Sequence, residues 1–181
     1  MNRSLRLGMD GVELVALAHK HVDELARLRV ANADDIRVSS ATRQPYEFGF
    51  DDVARSLEYR IAAASQELYP FVICRGGAVV GDLNLTQLTR GPEESANVGL
   101  LVDRAIRGQG IATTAIALAC RLAFDDLTLH RLQAGIQPTN LASQKAFIRN
   151  GFERIGLARG FLFVNGAWRD HLLFQKLAPG N

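Results

Sequence analysis

Apolar and polar positions along the chain alternate between two periods, close to two and close to 3.6 residues. These periods mark strands and amphipathic helices respectively. "VELVALA" (12–18) reads as a first strand, and "HVDELARLRVAN" (21–32) as a helix with Val22, Leu25 and Leu28 at helical spacing. Residues 36–49 are polar and irregular. Asp51 or Asp52 then starts a helix running to about Gln66, with Val53, Leu57 and Ile61 on one face. "PFVIC" (70–74) and "AVVGDLNLTQL" (78–88) are strands joined at Gly76-Gly77, and "NVGLLVD" (97–103) is a third. A smooth apolar run after Gly110 predicts a helix to about Phe124. "RLQAGIQ" (131–137) is a strand ended by Pro138. "NLASQKAFIRNG" (140–151) is a short helix capped by Asn140 and stopped by Gly151. Two closing strands, "FERIGLARGFLFV" and "AWRDHLLFQKL", meet at Asn165-Gly166, a strong two-residue hairpin signal. This order predicts a mixed α/β (α+β) domain around a single sheet.

Composition narrows the class. The chain has 181 residues, 48% hydrophobic and 22% charged, with a net charge of +2. These values fit one globular domain, residues 1–181, and give no electrostatic footprint for nucleic acid. No segment is long and apolar enough to span a membrane, and "MNRSLRLGMDG" lacks an apolar core of signal-peptide length, so a cytoplasmic location is expected. Cys74 and Cys120 lie in apolar surroundings and read as buried free thiols. No Cys/His cluster has metal-ligand spacing, so no metal is expected.

"VDRAIRGQGIATTAIAL" (102–118) carries the candidate chemistry. Gly108 and Gly110 permit backbone angles other residues avoid, and they leave no side chain in the way of a close neighbour. A helix starting near Gly110 presents unpaired N–H groups and a positive dipole end, a setting suited to phosphate. A dinucleotide fold would need a third glycine and an acidic residue about twenty positions on; a P-loop would need Gly-Lys-Ser/Thr. Neither pattern is met, and on this stretch alone the two glycines equally well only shape a turn.

Arg107-Gly108-Gln109-Gly110-Ile111-Ala112 resembles the Gln/Arg-x-x-Gly-x-Gly/Ala signature of the GNAT superfamily of acyl-CoA-dependent N-acyltransferases. Downstream, "LHRLQAGIQPTNLASQKAFIRNGFERIG" is similar to that family's strand, Asn, short helix and Gly-Phe pair. "FVNGAWRDHLLFQKL" resembles the C-terminal hairpin of the Rim-type ribosomal-protein N-terminal acetyltransferases. The likeness is dense over 94–177; over 1–93 it extends to element order only. It implies a twisted, mostly antiparallel sheet of about seven strands with splayed central strands, flanked by about four helices. It also implies an acetyl-CoA co-substrate, whose pyrophosphate lies against backbone N–H groups of Arg107, Gly108, Gln109, Gly110, Ile111 and Ala112. The pantetheine would follow the backbone of Leu100, Leu101 and Val102, with the Leu101 N–H meeting the acyl oxygen. Asn140 would cap its helix and touch the pantetheine. Lys145 and Arg149 are either solvated charges or contacts to the ribose phosphate.

Direct transfer needs a neutral amine held at the thioester carbon, and benefits from a base and an acid. Many Rim-type relatives place Glu where this chain has Asn97, and some place Glu where it has Gly160; other GNAT members use Tyr where it has Phe147. None of the three residues can handle a proton. Ser143 matches a serine that Rim-type relatives place near the thiol; it is either the group that protonates the leaving thiolate or a solvent-facing or back-bonded helix serine. Asp51, Asp52, Glu47 and Asp170 are candidates to attract a cationic acceptor. Trp168-Arg169-Asp170-His171 reads as hairpin structure, with His171 a distant candidate base. The function expected is acetyl transfer to a primary amine, either a protein N-terminus or a small molecule, with a homodimer as the expected assembly. The alternatives are a non-catalytic acyl-CoA-binding or sensing module, and a transferase using a larger acyl group. Without a protein base, the rate would follow the acceptor's own acidity: an α-amine (pKa roughly 7.7–8.0) would react faster than a lysine (about 10.4).

Overall fold

Asp10 and Gly11, at φ of 50° and 73°, turn the chain between β1 (Arg6–Met9) and β2 (Val12–Ala16). This is the first of several hairpins in a computed structural model that describes residues 6–39, 49–64 and 67–180. The hairpins join one eight-stranded sheet with the order β1-β2-β3-β4-β5-β6-β8-β7. Its other strands are β3 (Leu68–Arg75), β4 (Ala78–Thr89), β5 (Ser95–Val102), β6 (Arg131–Ile136), β7 (Glu153–Val164) and β8 (Ala167–Leu177). Every neighbouring pair is antiparallel except β5 with β6.

Helices cover both faces. α1 (Val22–Ala31) and α3 (Phe50–Ala62) pack Leu25, Val53 and Leu57 against Val72 and Cys74. α4 (Ile111–Arg121) and α5 (Leu141–Arg149) pack Ile116, Ala119 and Phe147 against Phe71, Ile73, Leu83 and Phe174. β3 therefore sends alternate residues into two cores, which is why its sequence is apolar without a break. Burying each large side chain contributes roughly 1.5–3 kcal/mol.

The sequence led to about seven strands and four helices; the described residues hold eight strands and five α-helices. β1 is short, and only the Asp10-Gly11 turn marks it in the sequence. α2 (Ala33–Ser39) occupies part of the stretch expected to be irregular. Its seven residues are too few and too polar to show a periodic apolar stripe. α3 begins after Gly49 with no side-chain cap, so Asp51 and Asp52 lie in its first turn, where they complement the dipole. α4 ends at Arg121 and passes into a wider π-helical turn, Leu122–Asp126. Glu47 and Gln66 lie outside the described residues.

The feature that positions the site is the parting of β5 from β6. They pair only from Ser95–Asn97 to Arg131–Gln133, and beyond that they diverge. β4 supports the free half of β5 closely. A Cβ on Gly81 would sit 2.1 Å from the Leu101 carbonyl oxygen, so only glycine allows this approach.

Candidate functional site

A cavity of about 820 Å³ opens where β5 and β6 diverge. Leu100, Leu101 and Val102 form one wall, Gly135 and Ile136 another. The 107–112 loop and α5 line it from the side of α4. Gly108 (φ 82°) and Gly110 (φ 79°) are both left-handed, and a Cβ on either would meet no protein atom within 4 Å. The space beside both glycines is therefore open. Gly110 also caps α4, whose first N–H groups have no partner within the helix.

The side chains of the loop go separate ways. Gln109 accepts a hydrogen bond from Arg75 and does not line the cavity, so only its backbone is left for a ligand there. Arg107 does line it, standing 2.9 Å from Asp35 Oδ2 on α2 in an ion pair. Gln137, after β6, donates to the Val38 carbonyl at 2.7 Å. α2 is thus tied to both sides of the opening.

On α5, Asn140 Oδ1 accepts from the Ser143 N–H at 3.1 Å, which makes it the helix cap. Ser143 is half-buried and lines the cavity; among the described residues its hydroxyl is not back-bonded to the helix. Lys145 and Arg149 are exposed and line the same cavity. Phe147 is buried, edge-on to Phe152 with ring centroids 4.9 Å apart, so it serves the core.

Asn97 and Gly160, which carry no proton-handling group, have other work. Asn97 donates through its side chain to Gln87. The Gly160 N–H donates to Asp170 Oδ1 at 2.8 Å, within the irregularity that separates the Ala158 and Leu162 pairings. Asp170 therefore holds the hairpin, and Asp52 pairs with Arg55 on its own helix.

A buried charge cluster was missed. Arg29 on α1 donates twice to Asp82 on β4, at 2.8 and 2.9 Å; Arg60 and Asn84 add bonds at 3.1 and 3.2 Å. All four line the cavity, and Asp82 is paired in register with Leu101. The signal was a charged residue inside an apolar strand, which nothing local could pair. His171 also lines the cavity and is buried, although it belongs to the closing hairpin.

Residues 12–153 match the family model described as acetyltransferase (GNAT) domain. The chain belongs to the GNAT acetyltransferases. It is 31% identical over 172 residues to the Bacillus subtilis protein named probable N-acetyltransferase YjcK, covering 94% of this chain and 90% of that one. It is 30% identical over 101 residues to the Escherichia coli ribosomal protein uS5-alanine N-acetyltransferase, covering 56% of this chain and 52% of that one. Among solved structures it resembles Mycobacterium smegmatis RimJ in complex with CoA-disulfide, with TM-score 0.86 and 30% identity over 92% of this chain and 82% of that one. As a GNAT N-acetyltransferase it uses acetyl-CoA as co-substrate.

Neither cysteine of this GNAT domain lines the cavity. Both are buried free thiols. Burial pushes Cys120 from the ordinary 9.0 up to about 11, and Cys74 upward as well. Between those values the unfolded chain releases the Cys120 proton while the folded chain retains it. Stability should therefore fall as pH rises from about 9 to 11. Cys120→Ala should flatten that part of the profile in denaturant titrations at successive pH values; an unchanged slope would assign it to other groups.

Proposed function

We propose that residues 1–181 act as one acyl-CoA N-acyltransferase domain, transferring acetyl to the α-amine of a protein N-terminus by direct attack. The observation that carries this is the cavity between the diverging strands, with the open glycine loop and the α4 N-terminus at one side. Backbone N–H groups of the loop and the first turn of α4 would hold the pyrophosphate, and the dipole adds about 0.3–1 kcal/mol. The unpaired edge of Leu100–Val102 would take the pantetheine amides, with the Leu101 N–H stabilising the charge that grows on the acyl oxygen. Asn140 and Lys145 would contact the ligand from α5, and the Ser143 hydroxyl would give the leaving thiolate its proton. Acetyl-CoA supplies the activated acyl group; the protein supplies position, charge stabilisation and proton transfer.

A protein N-terminus is favoured because the Escherichia coli relative is named for acting on an alanine of ribosomal protein uS5. The test is acetyl-CoA with a panel of N-terminal peptides and small amines, followed by thiol release and by mass spectrometry of the acceptor. Release of CoA that depends on an amine, matched by one acetyl group on that amine, is expected. Tight acetyl-CoA binding with no acceptor-dependent release would make the domain a binding or sensing module instead.

A further inference from the structure

A transferase that draws the proton from its acceptor needs an acceptor atom in the cavity, and Asn97, Gly160 and Phe147 supply none. His171 does. It stands on β8, beside Gly135 on the diverging strand β6; a Cβ on Gly135 would meet the Phe161 ring at 3.3 Å and only touch the His171 Cβ at 3.8 Å. The Phe161 ring, 5.8 Å away on β7, backs the imidazole. Nδ1 lies 3.0 Å from the Arg169 carbonyl oxygen. A carbonyl only accepts, so Nδ1 carries the proton of the neutral ring, and the lone pair is on Nε2. Among the described residues no hydrogen bond occupies Nε2, and the residue lines the cavity.

The strand register places His171 on the acceptor side of the sheet. Gly135 pairs with Leu173, two residues from His171, while Gln133 pairs with Asn97 on β5. His171 therefore shares a face with Asn97, Gly99 and Leu101, opposite the face packed by α4 and α5. The carboxylates in the cavity are otherwise engaged, Asp82 by Arg29 and Arg60, and Asp35 by Arg107. Lys145 and Arg149 line it from α5, and Asp170, the residue before His171 on β8, holds Gly160. No carboxylate lies within hydrogen-bond distance of the imidazole among the described residues.

We propose that His171 is the general base of the transfer, an assignment that rests on the transferase function above. As the acceptor nitrogen forms its bond to the thioester carbon, Nε2 takes a proton from that nitrogen. The C–S bond then breaks, its electron pair leaves on the CoA sulfur, and the thiolate takes up a proton. The imidazolium returns its own proton to solvent. The products are one amide and one thiol.

The test uses the full chain, acetyl-CoA and two probes: a peptide with an N-terminal alanine, and an N-terminally blocked peptide with one lysine. For the wild type, kcat/KM against pH should show one rising inflection that both probes share, beside the one that each amine brings by itself. His171→Gln, which keeps a donor for Arg169, and His171→Ala should both lose that inflection and about 10²–10⁴-fold in kcat. Calorimetric affinity for acetyl-CoA should stay within about twofold, and added imidazole should restore part of the rate to the alanine variant. A shared inflection that survives in both His171 variants would overturn the assignment. So would a variant rate within about threefold of wild type, or a loss of acetyl-CoA affinity parallel to the loss of rate. A wild type that binds acetyl-CoA but acetylates neither probe would overturn the transferase function, and the base with it.

Discussion

Asp82→Ala is expected to destabilise the protein by about 3–5 kcal/mol, the usual cost of removing one partner from a buried ion pair. Arg29 and Asp82 are 7% and 2% exposed, so the guanidinium left behind would be a buried charge without its partner, with a second cation, Arg60, close by. At roughly 2–4 °C per kcal/mol for a chain of this size, Tm should fall by about 10 °C. Asp82→Asn keeps an acceptor but loses the charge, and should fall between. The position also matters for activity: Asp82 faces Leu101 across the β4–β5 pairing, so loosening it should lower acetyl-CoA affinity at temperatures where the fold persists. A loss below about 1 kcal/mol in denaturant titration would mean that Arg29 is rehydrated through the cavity.

Gly110→Val is expected to weaken acetyl-CoA binding at least tenfold, about 1.4 kcal/mol. Two effects add. A side chain at φ 79° carries a left-handed penalty of roughly 1–2 kcal/mol, and a β-branched one fits worst. The new methyl groups would fill space that no protein atom occupies, the space assigned to the pyrophosphate. Gly110→Ala separates the effects, since it carries the backbone strain with little bulk. Calorimetric titration beside a melting curve gives both quantities. Unchanged affinity in a folded valine variant would remove the phosphates from this loop.

The half of the chain after residue 94 was the more legible, because its signals are local. The Asn165-Gly166 turn, the Asn140 cap and the glycine loop each specify their own geometry within a few residues, and each stands where expected. β1 and α2 escaped notice because elements of four and seven residues show too little periodicity. Of the candidate site, the backbone stretches named from the sequence, Leu100–Val102 and the glycine loop, are ones that line the cavity. The site was obscure where distant side chains make it. Arg29, Asp82 and Arg60 come from three elements and meet only when α1 and α3 pack on β4. His171 reads as hairpin structure in the sequence because nothing near it shows the cavity that the parting of β5 and β6 opens beside it. Gly81 likewise shows its purpose only against the Leu101 carbonyl.

Amide hydrogen exchange with and without acetyl-CoA tests the central claim, that the cleft between β5 and β6 holds the co-substrate. Slowed exchange is expected at the open edge of 98–102 and over 107–113, with little change in α3 or the β1–β2 hairpin. Protection confined to other parts of the chain, with those two segments exchanging as before, would contradict it.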